Sequence, residues 1–183
     1  VTRFLIPLGV FAALAIVLAV GVQHSTQNGT IKSPLIGKPV PDFSLPKLED
    51  PQSKVSSSDL KGRWYLINVW GVWCATCHEE HPWLMQYQKQ DVLPIIGVDW
   101  NDQDADARQF LSQQGNPYTH VITDHDGRTA INLGVYAAPE SFLVNPAGVV
   151  VYKCTGALTK DVWEKEIVPL VHGEAGSGVL CRG

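Results

Sequence analysis

Cys74 and Cys77, in the stretch Trp73-Cys74-Ala75-Thr76-Cys77, are the residues of this chain best suited to chemistry. An apolar run ends at Trp70 just before them. That order reads as a buried strand, a turn, and a helix that begins at the first cysteine and continues to about Gln88. At a helix start the unpaired backbone N–H groups and the positive end of the dipole favour a thiolate, so Cys74 is expected to have a lowered pKa and to be the attacking sulfur. Cys77 lies one turn on, placed to attack the mixed disulfide that Cys74 forms. A C-x-x-C pair is also half of a zinc site, and His78 and His81 stand close by. A structural zinc site usually needs a second, similarly spaced ligand pair, and Cys154 and Cys181 are isolated from each other. The expectation is therefore no metal, and no cofactor beyond a redox-active Cys74–Cys77 disulfide.

The elements around the pair follow from apolar periodicity and turn residues. Residues 38–46 carry three prolines, which forbid a helix and suit an edge strand. A short strand near Val55 and a one-turn helix over 58–62 lead to the strand 64–70. On the helix of the cysteines, Trp83, Leu84 and Tyr87 are expected to form the apolar stripe, and Pro82 to kink the axis. Residues 92–100 read as a buried strand. Asp102, Asp104 and Asp106 load the first turn of the next helix, which turns Phe110 and Leu111 to the core and stops at Gly115. Strand 119–123, a turn at 124–127 and a short helix 129–133 follow. Two strands, 141–144 and 149–152, flank the hairpin signal Asn145-Pro146-Ala147-Gly148. A last helix, 160–171, has Thr159 as N-cap and Trp163, Ile167 and Leu170 on its buried face. Strands interleaved with helices, then a hairpin and a closing helix, give an α/β fold with a mixed sheet covered by helices on both faces.

The 183 residues allow one domain with appendages. A formal charge of −4 supplies no basic patch for a phosphate backbone, so nucleic acid is not expected as a partner. Residues 4–22 hold no charge. A helix of that length reaches roughly 28 Å, close to one bilayer core, which predicts an N-terminal transmembrane helix. Arg3 precedes this run and no basic residue follows it before Lys32, which leaves the remaining chain outside the cytoplasm. A cleaved signal peptide, with Ala19-Val20-Gly21 at its cleavage site, is the other reading, and it exports the domain equally. The expected organisation is an anchor over 4–22, a tether over 23–36, a folded domain over 37–172 and a flexible tail over 173–183.

The cysteine stretch, Pro82, and Ala138-Pro139-Glu140 ahead of a strand together resemble the thioredoxin-like fold. Residues 35–41 (Leu-Ile-Gly-Lys-Pro-Val-Pro), Asn68-Val69-Trp70, Glu80-His81, Gly115-Asn116-Pro117-Tyr118 and residues 133–140 (Leu-Gly-Val-Tyr-Ala-Ala-Pro-Glu) resemble the DsbE/CcmG family, membrane-anchored thiol:disulfide oxidoreductases of bacterial cytochrome c maturation. The resemblance implies a reductant at the bacterial inner membrane with its domain in the periplasm. It implies apocytochrome c or a haem-ligation protein as disulfide substrate, and a membrane thiol transporter as electron donor. It also implies that Pro139 is a cis-proline facing the cysteines, with Trp73, Ala138 and Pro139 as the substrate-binding surface, and Glu80 and Glu140 as acidic groups of the site. Thioredoxin carries an aspartate where this strand has Asn68, which cannot accept a proton from Cys77, so another base is needed. We expect Glu80 and Glu140 to handle protons, to disfavour the Cys74 thiolate, and to attract a basic partner segment. A general disulfide oxidant, a broad-specificity reductant and a non-catalytic apocytochrome-binding module are the alternative functions. His78 is expected to face solvent, Trp70, Trp83 and Trp163 to be core, and Cys154 to be a half-buried thiol unless it pairs with Cys181.

Overall fold

The computed structural model describes residues 34–178 and 181, together with Phe11, Leu14 and residues 16–18. Those five are helical and exposed. The rest of the expected anchor over 4–22, and the tether up to residue 33, lie outside the described residues, and among the described residues no helix is long and apolar enough to cross a membrane.

Seven strands and four helical elements make up the domain. In chain order they are β1 (Ser44–Pro46), β2 (Lys54–Ser56), β3 (Tyr65–Trp70), α1 (Ala75–Gln90), β4 (Ile95–Trp100), α2 (Asp104–Gln114), β5 (His120–Asp124), α3 (Arg128–Asn132), β6 (Glu140–Val144) and β7 (Val150–Thr155). A final helix, α4, consists of the consecutive segments Lys160–Val162, Trp163–Ile167 and Val168–Val171, the middle one a π-helix. Its start is capped as expected, with the Thr159 side chain accepting from the Val162 N–H. β1 and β2 form a small antiparallel pair, and the other five strands form one mixed sheet in the order β5-β4-β3-β6-β7. β3 is central, parallel to β4 and antiparallel to β6.

Alternation along β3 assigns the two faces. Tyr65, Ile67 and Val69 pack with Ile96, Val98 and Phe142, with Phe43 and Leu60 from residues 40–60, and with Ala130 of α3. Leu66 and Trp70 point the other way, against Leu84 and Tyr87 of α1, Ala107 and Leu111 of α2, and Trp163 and Ile167 of α4. Each such aliphatic or aromatic side chain removed from water contributes about 1.5–3 kcal/mol. Asn68 lies between Leu66 and Trp70 in this alternation, so the strand order itself aims a polar group at α1.

Several expectations change. Residues 58–62 are turns rather than a one-turn helix. Asp102 stays outside α2, whose N-cap is Gln103. Trp83 is partly exposed, because the buried stripe of α1 is Cys77, Glu80, His81, Leu84 and Tyr87, and a step of about 100° per residue carries Trp83 off it. The carboxyl-terminal tail is held rather than loose where it is described. Ser177 Oγ donates to Glu166 Oε1 at 2.9 Å, Ser177 N–H donates to Lys165 O at 3.1 Å, and Cys181 is bonded to Cys154.

Candidate active site

β3 delivers the chain to Gly71, where it must turn into α1. A Cβ on Gly71 would meet the Trp73 indole at 2.8 Å or closer, so the glycine makes room for that ring. Trp73 is 54% exposed and is steadied by its Nε1–H, which donates to Trp100 O at 3.0 Å, and by an edge-on contact with the Trp100 ring. Cys74 is the N-cap residue of α1 rather than its first helical residue. Its sulfur accepts the Cys77 N–H at 3.1 Å and is bonded to Cys77 Sγ, with the two Cα atoms 5.3 Å apart. A sulfur in the N-cap position receives one of the free donors of the first turn, and this favours negative charge on Cys74 when the pair is reduced. Exposure does not separate the two cysteines, for Cys74 is 4% and Cys77 5% exposed in the disulfide form. The hydrogen bond that the Cys74 sulfur receives from the Cys77 N–H is what distinguishes them.

The peptide between Ala138 and Pro139 is cis, and Ala138 O lies 3.3 Å from Cys74 Sγ. In the disulfide this sulfur carries no hydrogen, so the pair is a contact. The contact places the backbone preceding Pro139 directly against the attacking sulfur. Among the residues before it, Tyr136 is 76% exposed.

Both carboxylates named from the sequence are buried, and neither is a surface charge. Glu80 is 1% exposed, its Oε1 accepting the Leu158 N–H at 2.8 Å and its Oε2 the Asn68 Nδ2–H at 3.3 Å. Burial pushes its carboxyl up to about 7, against the smaller opposing effect of these two donors. Asn68 is fixed by the same network, donating to Ser141 Oγ at 3.0 Å and accepting from the Tyr118 hydroxyl at 2.9 Å. The Tyr118 ring reaches that position by lying over Gly97, where a Cβ would meet it at 2.8 Å. Glu140 is fully buried and ion-paired with Lys153 Nζ at 2.8 Å, while Lys153 also donates to Gly134 O at 3.0 Å. Burial raises its carboxyl pKa, partly offset by Lys153. A buried, paired Glu140 presents no charge to a basic partner segment, and neither does Glu80 beneath the helix.

The histidines serve the scaffold. His78 Nε2–H donates to Val72 O at 2.8 Å and its ring lies 4.7 Å from that of Phe110. His81 is buried, which lowers its pKa, and its Nε2–H donates to Gly115 O at 3.0 Å. Among the described residues no group of three or more His, Cys, Asp or Glu is arranged to hold a metal ion.

Four contributors were not assigned to the site from the sequence: Tyr118, quoted only within a family stretch, Asp102, read only as a helix-start acid, Ser141 and the Leu158 backbone. Asp102 accepts the Val72 N–H through Oδ2, holding the loop two residues before Cys74. Behind it Asp99, buried at the end of β4, has its pKa pushed up to about 8 by burial and then by Asp102 and Asp104. Adjacent acids spaced as Asp99-x-x-Asp102 at a strand end were the one available signal.

A cysteine pair at a helix start beyond the central strand, faced by a cis-proline on the same sheet, defines a thioredoxin-like thiol:disulfide oxidoreductase. The family model described as Redoxin matches residues 35–168. The thiol:disulfide interchange protein DsbE of Allochromatium vinosum is 41% identical, covering 92% of this chain and 92% of that protein. The DsbE of Pseudomonas aeruginosa is 40% identical, with 91% of each chain covered. A Chlorobium tepidum crystal structure assigned as a DsbE superposes with a TM-score of 0.65 at 29% identity, covering 74% of this chain and 95% of that one. The chain belongs to the DsbE family of thiol:disulfide interchange proteins, within the Redoxin family.

Proposed function

We propose that this protein is a membrane-anchored reductant on the periplasmic side of the bacterial inner membrane. Its substrates are disulfides of apocytochrome c or of haem-ligation proteins, and it draws electrons from a membrane thiol transporter. The charge-free run over 4–22 supports the anchor, and family membership supports the exchange chemistry. The observation that carries the reading is the Cys74 sulfur, held by the Cys77 N–H on one side and set against Ala138 O and the cis-proline on the other. An extended substrate pairing with that backbone brings its disulfide to Cys74.

In the reduced protein the Cys74 thiolate attacks one substrate sulfur, a protein–substrate disulfide forms, and the other substrate sulfur leaves and takes up a proton. Cys77, deprotonated, then attacks Cys74 Sγ. The mixed disulfide breaks, the second substrate sulfur leaves as a thiol, and two electrons and two protons have passed to the substrate. Glu80 takes the Cys77 proton. It lies one turn along the same buried stripe, and a carboxyl titrating near 7 is a competent base at neutral pH. Asn68 and Leu158 orient that carboxylate.

A disulfide-closed peptide carrying C-x-x-C-H, the haem attachment pattern, tests the reading against an unrelated disulfide peptide. The reduced protein should reduce the first faster. Its reduction potential should lie nearer the value of about −270 mV of thioredoxin than the value of about −120 mV of the oxidant DsbA. Equal rates with both peptides, or an oxidant's potential, would remove it.

A further inference from the structure

The second disulfide joins Cys154 on β7 to Cys181, 27 positions further along. Cys154 is fully buried and sits opposite Ser141, which accepts from Asn68. Beyond β7 the chain leaves the sheet as a short strap, Gly156, Ala157 and Leu158, and this strap touches the redox site at three points. Gly156 N–H donates to Pro139 O at 2.8 Å. Leu158 N–H donates to Glu80 Oε1 at 2.8 Å, and the Tyr87 hydroxyl of α1 donates to Leu158 O at 3.3 Å. Cys181 Sγ lies against the strap itself, 3.5 Å from Ala157 O and 4.0 Å from Gly156 O. Ser177 brings the tail to this place through its bonds to Lys165 and Glu166 of α4.

From this geometry we infer that the Cys154–Cys181 disulfide is a positioning element of the exchange reaction. It clamps the Gly156–Leu158 strap, which holds the Glu80 carboxylate under the cysteine helix and the Pro139 carbonyl beside the substrate-binding backbone. The inference rests on the reading that Glu80 handles the Cys77 proton. Opening the clamp takes two electrons and two protons from an external dithiol, which becomes a disulfide, and leaves Cys154 and Cys181 as thiols. The strap then keeps only its hydrogen bonds, and water reaches the carboxylate. Water replaces the Leu158 donor and relieves burial, the largest cause of the raised Glu80 pKa, so Glu80 titrates lower in the opened protein. The other groups around it do not compete at neutral pH. Tyr87 on its own helix and Tyr118 ahead of β5 are both pushed well above neutrality, Asn68 and Ser141 carry no charge, and Cys77 is silent while oxidised.

The test compares the full chain with Cys154→Ala/Cys181→Ala and with Glu80→Gln. Two profiles are recorded against pH: the Glu80 carboxyl carbon by NMR in the oxidised protein, and the rate of disulfide exchange. Thermal melts verify folding, and Cys181→Ser, which changes only the tail end of the bridge, takes the place of the double variant if that variant does not fold. The NMR midpoint and the rate inflection that coincides with it should both fall by about one pH unit without the disulfide, and Glu80→Gln should lose that inflection while keeping the one set by the Cys74 thiolate. Profiles superimposable on those of the unaltered chain, or shifted upward, would overturn the inference. If Glu80→Gln keeps that coinciding inflection, the proton-handling reading fails by itself, and the NMR midpoint alone decides whether the disulfide positions the carboxylate.

Discussion

The chain holds two disulfides, Cys74–Cys77 and Cys154–Cys181, which differ in the backbone donor that the Cys74 sulfur receives. Around Cys74 the backbone supplies a donor, the Cys77 N–H, at the positive end of a 16-residue helix, beside one carbonyl, Ala138 O at 3.3 Å. Around Cys154 and Cys181 it supplies acceptors, with Gly156 O and Ala157 O within 3.5–4.0 Å of the sulfurs. Donors favour a thiolate and carbonyl oxygens repel one. Sequence separation differs as well, 3 against 27 positions. The first bridge therefore constrains little and reacts, whereas the second closes a longer loop of the unfolded chain and contributes more to stability. Reactivity here is a property of the backbone around a sulfur more than of the cysteine itself.

Breaking each pair in turn sharpens that contrast. Cys74→Ser should lower exchange by at least about 1,000-fold with little change in melting temperature, and Cys77→Ser should accumulate a stable mixed disulfide, seen by non-reducing electrophoresis. Cys154→Ala/Cys181→Ala should do the reverse, lowering stability in denaturant titrations by about 3 kcal/mol while exchange persists. Glu80→Gln should slow release of substrate from the mixed disulfide by about 10–100-fold at neutral pH, measured by single-turnover kinetics.

The smallest effect concerns Asp99. Its folded pKa, about 8, lies above that of an unfolded aspartate, so its stabilising contribution is complete below about pH 4 and is lost as the pH rises through 8. Asp99→Asn should therefore be the more stable protein at neutral pH by about 1–2 kcal/mol. That gain should grow from pH 4 to pH 8 in paired melts, and a gain constant with pH would show that Asp99 does not titrate in this range.

What the sequence disclosed was local. A C-x-x-C after an apolar strand, a turn at Asn145-Pro146-Ala147-Gly148 and a Thr159 cap each depend on neighbours within a few positions, and each stands where expected. Pro139 was legible through its family motif, and its peptide is cis. What escaped was set by partners far along the chain. A glutamate on an amphipathic helix reads as solvent-facing, yet Glu80 is buried because Leu158, 78 positions later, and Asn68 on β3 both donate to it. Glu140 is masked by Lys153 from the next strand. The tail looked structureless because its fixed points, Glu166 and Cys154, lie outside it.

The central claim is that the backbone donor at the N-cap makes Cys74 the nucleophile. Alkylation of the fully reduced protein at a series of pH values, with each cysteine read by mass spectrometry, tests it most directly. Cys74 should label at least about tenfold faster than Cys77, Cys154 or Cys181 at pH 6–7, with the advantage shrinking as the others ionise at higher pH. Equal or faster labelling of Cys77, or of either distal cysteine, in that range would contradict the account.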